Sequence, residues 1–286
     1  MAPLLNDYSI TSESTQIVYK TIGDVNLKLH VFLPKEHKKE DKTPCIVFFF
    51  GGGWVNGSPT QFYPHCDYLT SRGMVAISAE YRVKSLHQTT PIESLKDAKS
   101  ATRWVRSHAK ELGIDPEKIA AGGGSAGGHL AAACGTTTEI EEPDEGEVSC
   151  VPNAMVLFNP VLDTSPEGWG NDKLKEQGLA FSPYHNISKN TPNAIIFLGT
   201  EDAIIPVSMA QNFQKKMDKH EVCCQLCLYE GQAHGFFNFK SGGNIYFYKT
   251  VIEMDKFLEA MEFITGKPTM EVPEELLQES EKQGGF

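Results

Sequence analysis

A chain of 286 residues, 40% of them apolar and 22% charged, is long for one domain yet within the range of a single large α/β unit with a substantial core. Its formal charge of −11 and pI near 5.3 exclude nucleic acid and anionic membrane as expected partners, because both offer phosphate to a surface that is already negative. No apolar run approaches bilayer length, and Met1–Ile10 lacks the basic start and apolar core of a secretory signal. A chain whose signal had been removed would look the same, so the compartment stays open with the cytoplasm as default, and the oligomeric state is equally open.

The chain is expected to form one domain over residues 1–286, and its elements can be taken in order. Gln16–Thr21 and Val25–Leu33 flank Gly23-Asp24 and predict an antiparallel hairpin at a sheet edge. From Cys45 onward short apolar runs alternate with helical stretches, the pattern of a mainly parallel sheet covered on both faces. Strands are predicted at Cys45–Phe50, Met74–Glu80, Ile119–Gly122, Met155–Phe158, Ala194–Leu198 and Val222–Tyr229. Helices are predicted at Tyr63–Ser71, Pro91–Leu112 (ended by Gly113), Ala126–Cys134, Val207–Lys219 and Ile245–Ile264. Two stretches break the alternation. Thr136–Val148 is acidic and reads as a surface excursion, while residues 163–185, rich in Gly, Pro, Ser and Asn, read as a short lid, a pocket wall or a plain loop. Residues 268–286 read as a charged, frayed tail.

Seven cysteines leave at least one thiol without an internal partner, which favours a reducing environment over a disulfide scaffold. Cys223, Cys224 and Cys227 include a C-x-x-C spacing. Side chains alternate along a strand, so Cys224 and Cys227 should face opposite ways and cannot share a metal; the group is expected in the core.

The strongest chemical signal is Gly123-Gly124-Ser125-Ala126-Gly127, a G-x-S-x-G between a predicted strand and a predicted alanine-rich helix. A serine forced into so sharp a turn needs small neighbours for the turn to close, and the helix behind it aims N–H groups at developing negative charge. The same letters satisfy a dinucleotide fingerprint, Gly122-x-Gly124-x-x-Gly127. That reading requires an acidic residue ending the next strand, and the acids at the right distance, Glu145 and Glu147, fall in the acidic loop instead. No organic cofactor and no metal is expected.

A nucleophilic serine needs an imidazole, and in this strand–turn–helix context the order along the chain is Ser, then Asp or Glu, then His. His234, in Gly231-Gln232-Ala233-His234-Gly235 after the last predicted strand, is the first candidate base, with His185 behind it; His129, one helical turn past the serine, points to packing or solvent. For the acid, Asp202 follows Ala194–Leu198 directly; Asp163 and Glu201 remain alternatives. Upstream, Gly51-Gly52-Gly53-Trp54 follows a strand and can turn backbone N–H groups inward as an oxyanion hole together with Ala126, and Trp54 is placed to line the substrate pocket.

The run Phe48 to Trp54, Gly123 to Gly128, Gly199-Thr200-Glu201-Asp202 and Ala233-His234-Gly235 resemble the hormone-sensitive-lipase-like acetyl esterase/lipase family of α/β-hydrolase-fold serine esterases, over roughly Cys45 to Phe239. The resemblance implies a serine carboxylesterase with catalytic Ser125, Asp202 and His234, oxyanion donors Gly52, Gly53 and Ala126, and a small-molecule ester as substrate. It also implies short-chain acyl or aryl esters, carbohydrate esters among them, because Leu5–Leu33 looks extended and the family's large helical cap is missing. Phe50 stands where the family commonly has a histidine, which puts loop geometry in question more than chemistry; Phe50 could hold the loop by packing instead. Alternatives are a prolyl-oligopeptidase-type peptidase and a ligand-binding protein of the same fold without hydrolysis.

Overall fold

Seventeen regular elements follow one another in the computed structural model, which describes residues 11–142, 147–240 and 244–282. Met1–Ile10, Glu145 and the final residues of the tail, each weighed above, lie outside the described residues. In chain order the elements are β1 (Ser14–Ile22), β2 (Val25–Phe32), β3 (Thr43–Phe49), α1 (Tyr63–Ser71), β4 (Val75–Ala79), α2 (Lys84–His87), α3 (Pro91–Ser107), α4 (Ala109–Leu112) and β5 (Ile114–Gly124). Then come α5 (Ala126–Thr136), β6 (Ala154–Phe158), α6 (Gly178–Phe181), β7 (Ala194–Gly199), α7 (Val207–Lys219), β8 (Cys224–Tyr229), α8 (Ile245–Ala260) and α9 (Glu274–Lys282).

The strands form one 8-stranded sheet in the order β1-β2-β4-β3-β5-β6-β7-β8. β1 and β2 pair antiparallel, β2 joins β4 antiparallel, and every pairing from β4 to β8 is parallel. This is the α/β-hydrolase architecture. Alternation along each strand divides the core into two layers. In β3, Cys45, Val47 and Phe49 join the layer under α3, α5 and α7, while Ile46 and Phe48 join the layer under α1 and α8. Helices therefore cover both faces, as the apolar runs require.

Several boundaries differ from the sequence reading, among them the last helix of the core, expected to Ile264, which ends at Ala260. The helix predicted over Pro91–Leu112 breaks at His108, whose Nδ1 lies 2.9 Å from the Trp104 carbonyl and whose ring stacks on the Trp104 indole at 3.9 Å. At its start the same helix has a capping box, with Thr90 accepting from Ile92 N–H and Glu93 accepting from Thr90 N–H, worth about 1 kcal/mol. β5 begins at Ile114 rather than Ile119, since Ile114 pairs with Thr43 across a register shift. The tail is not wholly loose: α9 lies within it, and Met270, Val272 and Leu276 pack against the second core layer.

The acidic stretch is also less free than its composition suggests. Lys99, fully buried, donates to the carbonyls of Thr137 and Ile140 and pairs with Glu141 at 2.7 Å, and Arg103 pairs with the same carboxylate. Glu142 pairs with Lys20 at 3.0 Å. A charged side chain is stable in the interior only with such partners, so these carboxylates pin the loop to α3.

Every cysteine is a free thiol. Cys224 joins the first core layer and Cys227 packs against the second, so the two do face opposite sides of the sheet. Cys223, expected in the core, is exposed instead: it precedes β8 and shares the side of exposed Gln225. Among the described residues no helix is long and apolar enough to cross a membrane.

Candidate active site

The turn after β5 carries Ser125 at φ 53° and ψ −118°, a conformation that costs a non-glycine residue on the order of 1–3 kcal/mol. Neighbouring contacts hold it there. Ser125 N–H donates to the Phe158 carbonyl at 2.9 Å, and the Ser125 carbonyl accepts from His129 N–H at 2.9 Å and Val161 N–H at 3.3 Å. Gly127 lies so close to the end of β3 that an added Cβ would sit 2.0 Å from the Phe49 carbonyl oxygen. A side chain there would push the turn off the sheet.

The structure brings His234 and Asp202 to this turn. His234 Nε2 lies 2.9 Å from Ser125 Oγ, and Nδ1 lies 2.7 Å from Asp202 Oδ2. A carboxylate can only accept, so Nδ1 carries the ring hydrogen and Nε2 presents a lone pair to the serine hydroxyl. The Asp202 side chain is fully enclosed, and its Oδ1 accepts from the N–H groups of Ile204 and Ile205 at 2.8 and 2.9 Å. Burial alone would raise this carboxyl, but the bonds from His234, Ile205 and Ile204 outweigh it and hold the group below the ordinary aspartate value.

The rival residues go elsewhere. Glu201 is exposed. Asp163, Ser182 and His185 form a cluster of their own, with His185 Nδ1 2.9 Å from Ser182 Oγ and 3.5 Å from Asp163 Oδ1. One ring nitrogen meets both oxygens, so no proton can be relayed through that ring. His129 is fully buried, and its Nε2 donates to the Phe181 carbonyl at 2.8 Å.

The glycine loop after β3 has Gly52 at φ 127° and Gly53 at φ 62°. A Cβ on Gly52 would meet the Asn56 carbonyl oxygen at 2.1 Å, so the tight turn requires glycine. Among the described residues the N–H groups of Gly52 and Gly53 meet no hydrogen-bond acceptor, and Ala126, as the first residue of α5, has no intrahelical acceptor for its own. Phe50 is buried and stacks on Tyr81 at 4.1 Å, and Gly51 N–H donates to Gln61 Oε1 at 2.6 Å. Gln61 in turn donates to Asn238 beyond His234, at 2.8 Å.

Trp54 is 1% exposed, so it faces the pocket less than its position suggested. It packs against His129, Trp169 and Phe181, and contributes to a cavity of about 210 Å³ with Lys84, Thr90 and Lys173. Lys173 lies 4.5 Å over the Trp169 ring and reaches toward the Gly53 carbonyl at 3.4 Å, which ties residues 163–185 to the glycine loop. Phe181 and Leu174, both buried, pack the same segment into the core. A cavity of about 280 Å³ is lined by Leu162, Trp169 and Met209 with Asp163 and Glu167, and by Val161 and Ile205, whose N–H groups bond the Ser125 carbonyl and the Asp202 carboxylate. A larger one, about 800 Å³, lies at the opposite end of the sheet between charged residues such as Lys39, Asp41, Arg106 and Glu111, remote from Ser125.

Gln61, Asn159 and Lys173 were missed by sequence reasoning. Each acts through polar contacts to residues distant in the sequence, and only the isolated polar residue inside an aromatic or apolar run, as in Phe158-Asn159-Pro160, hints at it.

Comparison with known proteins points the same way. A family model described as BD-FAE matches residues 29–167, and the dienelactone hydrolase family model matches residues 178–264. Esterase LipC of Mycobacterium tuberculosis is 29% identical over 61% of this chain and 48% of its own length. The chain spans about half the length of the curated relatives first matched. Thermogutta terrifontis esterase 2, solved as a form phosphoramylated by tabun, is 47% identical over 89% of this chain and 97% of its own, with a TM-score of 0.86. Its propionate-bound structure is 45% identical, covers 90% and 97% of the two chains, and superposes with a TM-score of 0.86. By sheet topology and by this likeness across nearly the whole of a solved esterase, the chain belongs to the serine esterases of the α/β-hydrolase fold, the family its motifs resemble.

Proposed function

We propose that this chain hydrolyses carboxylic esters through an acyl-enzyme on Ser125. The observation that carries the reading is the hydrogen-bonded line from Ser125 Oγ through His234 to Asp202, at 2.9 and 2.7 Å. His234 Nε2 takes the serine proton as Oγ attacks the ester carbonyl, and the N–H groups of Gly52, Gly53 and Ala126 meet the oxyanion. The imidazolium, held by Asp202, then gives that proton to the departing alcohol. Water repeats the sequence: Nε2 takes its proton, the hydroxide releases the acid, and the proton returns to Oγ.

Short acyl groups fit the 280 Å³ cavity beside the triad, which is at the small end for ligand sites and mainly apolar. The propionate bound to the Thermogutta esterase supports that choice. The test is hydrolysis of nitrophenyl acetate and butyrate: Ser125→Ala should lower kcat about a thousandfold or more with the fold intact. Equal activity of the two proteins, or none in either, overturns the reading. A panel of acetylated sugars, feruloyl esters and alkyl esters then ranks the alcohol and acyl groups.

A further inference from the structure

We propose that Asn159 is a positioning residue for His234, gripping the histidine loop through its backbone and keeping Nε2 turned to the serine. The proposal rests on the esterase reading above. Asn159 follows β6 at φ 34°, a left-handed value that asparagine tolerates better than most side chains, and it is fully buried. Its own N–H donates to the Phe197 carbonyl at 2.7 Å, which fixes it to β7.

Both ends of the side-chain amide meet the histidine loop. Oδ1 accepts from Gly235 N–H at 3.0 Å, and Nδ2 lies 3.5 Å from His234 Nε2. The first contact determines the second. An N–H must meet an acceptor, so Oδ1 faces Gly235 and the NH₂ group faces the ring. His234 is thus fixed at Nδ1 by Asp202 and at the following peptide by Asn159, while a neutral donor stands beside the nitrogen that must collect a proton.

Two consequences follow for the reaction. A donor beside Nε2 favours the form that has a lone pair there, so the resting ring is ready to accept from Ser125. Once Oγ is acylated it has no hydrogen left to give, and the Asn159 N–H remains to steer Nε2 until water arrives. Asn159 itself transfers no proton. Asp202 is the charged group that touches the ring.

The experiment uses the full chain and nitrophenyl acetate, with wild type, Asn159→Asp and Asn159→Leu, and thermal unfolding to verify each fold. Asn159→Asp keeps an acceptor for Gly235 and replaces the donor by a carboxylate, which stabilises the imidazolium. Its acid limb in kcat/KM should move up by about one pH unit or more, with KM within about twofold. Asn159→Leu should lower kcat about tenfold or more at little change in KM. An unshifted acid limb in Asn159→Asp, or wild-type kcat in a folded Asn159→Leu, overturns the proposal; if the leucine variant does not fold, the aspartate variant decides. An NMR titration of His234 should show the same upward shift without any substrate. It therefore separates an error about Asn159 from an error about ester hydrolysis, which would show instead as an inert wild type.

Discussion

Tyr81 holds Phe50 in two ways: the rings stack 4.1 Å apart, and the tyrosine hydroxyl donates to the Phe50 carbonyl at 2.7 Å. That carbonyl lies one residue before the glycine loop, so the pair fixes the direction in which the loop leaves β3. Tyr81→Phe keeps the stack and leaves a buried carbonyl without its donor. It should cost about 1–3 kcal/mol of stability. Because the proposed oxyanion donors lie downstream of that carbonyl, kcat for nitrophenyl acetate should fall several-fold with KM nearly constant. Urea unfolding and steady-state kinetics check the two parts.

The pattern of buried runs made most of this architecture readable. Cys45–Phe50 and Ala194–Leu198 have no polar residue to interrupt them, and they became β3 and β7 of the parallel part of the sheet, within two residues of their expected ends. The start of β5 was hidden because Asp115-Pro116-Glu117 is polar and contains proline, and only pairing with Thr43 makes Ile114 a strand residue. At the site, Ser125, Asp202 and His234 could be picked out because each follows a strand in the right order. Phe50 could be placed at the entry of the glycine loop, but not what steadies that loop: Tyr81 and Gln61 reach it from 31 and 10 residues away. The acidic loop misled because charge alone does not reveal partners, and Glu141 finds a buried lysine in α3.

Acid should weaken the fold through two histidines that stay neutral inside it. Burial pushes the imidazoles of His65 and His129 down to about 3. In the unfolded chain both titrate at the ordinary imidazole value near 6.5. Between those limits the unfolded chain binds protons that the native chain refuses, so stability is full above about pH 6.5 and falls as pH drops toward 3. The slope reaches about 1.4 kcal/mol per pH unit for each histidine. Neither ring nitrogen of His65 has a hydrogen-bond partner among the described residues, and its neighbours include Phe48, Phe62, Phe158 and Phe247. His65→Phe should therefore hold or raise Tm at pH 7 and flatten the decline between pH 6 and 4. Calorimetry across that range reads both; a decline as steep as the wild type's rules His65 out as its source.

Met209 offers a handle on chain length. It lines the 280 Å³ cavity together with Ile205 and Val161 and belongs to α7, away from the line of hydrogen bonds from Ser125 to Asp202. Met209→Ala should enlarge the cavity and raise the ratio of kcat/KM for octanoate over acetate by roughly tenfold, the order expected for a few methylenes finding apolar contact. An unchanged ratio across acetate, butyrate and octanoate would move the acyl chain to another part of the surface.

The contact between Ser125 and His234 joins positions 109 apart in the sequence, and that between Asp202 and His234 spans 32 more locally. No local segment of the chain contains the reactive group. β5, β7 and β8 must all be in register before the three side chains meet, so the long loop closures that make such sheets slow to fold come before any turnover. Ester hydrolysis during refolding is then a clock for the last long-range pairing. Fluorescence from the early-forming core should recover ahead of it.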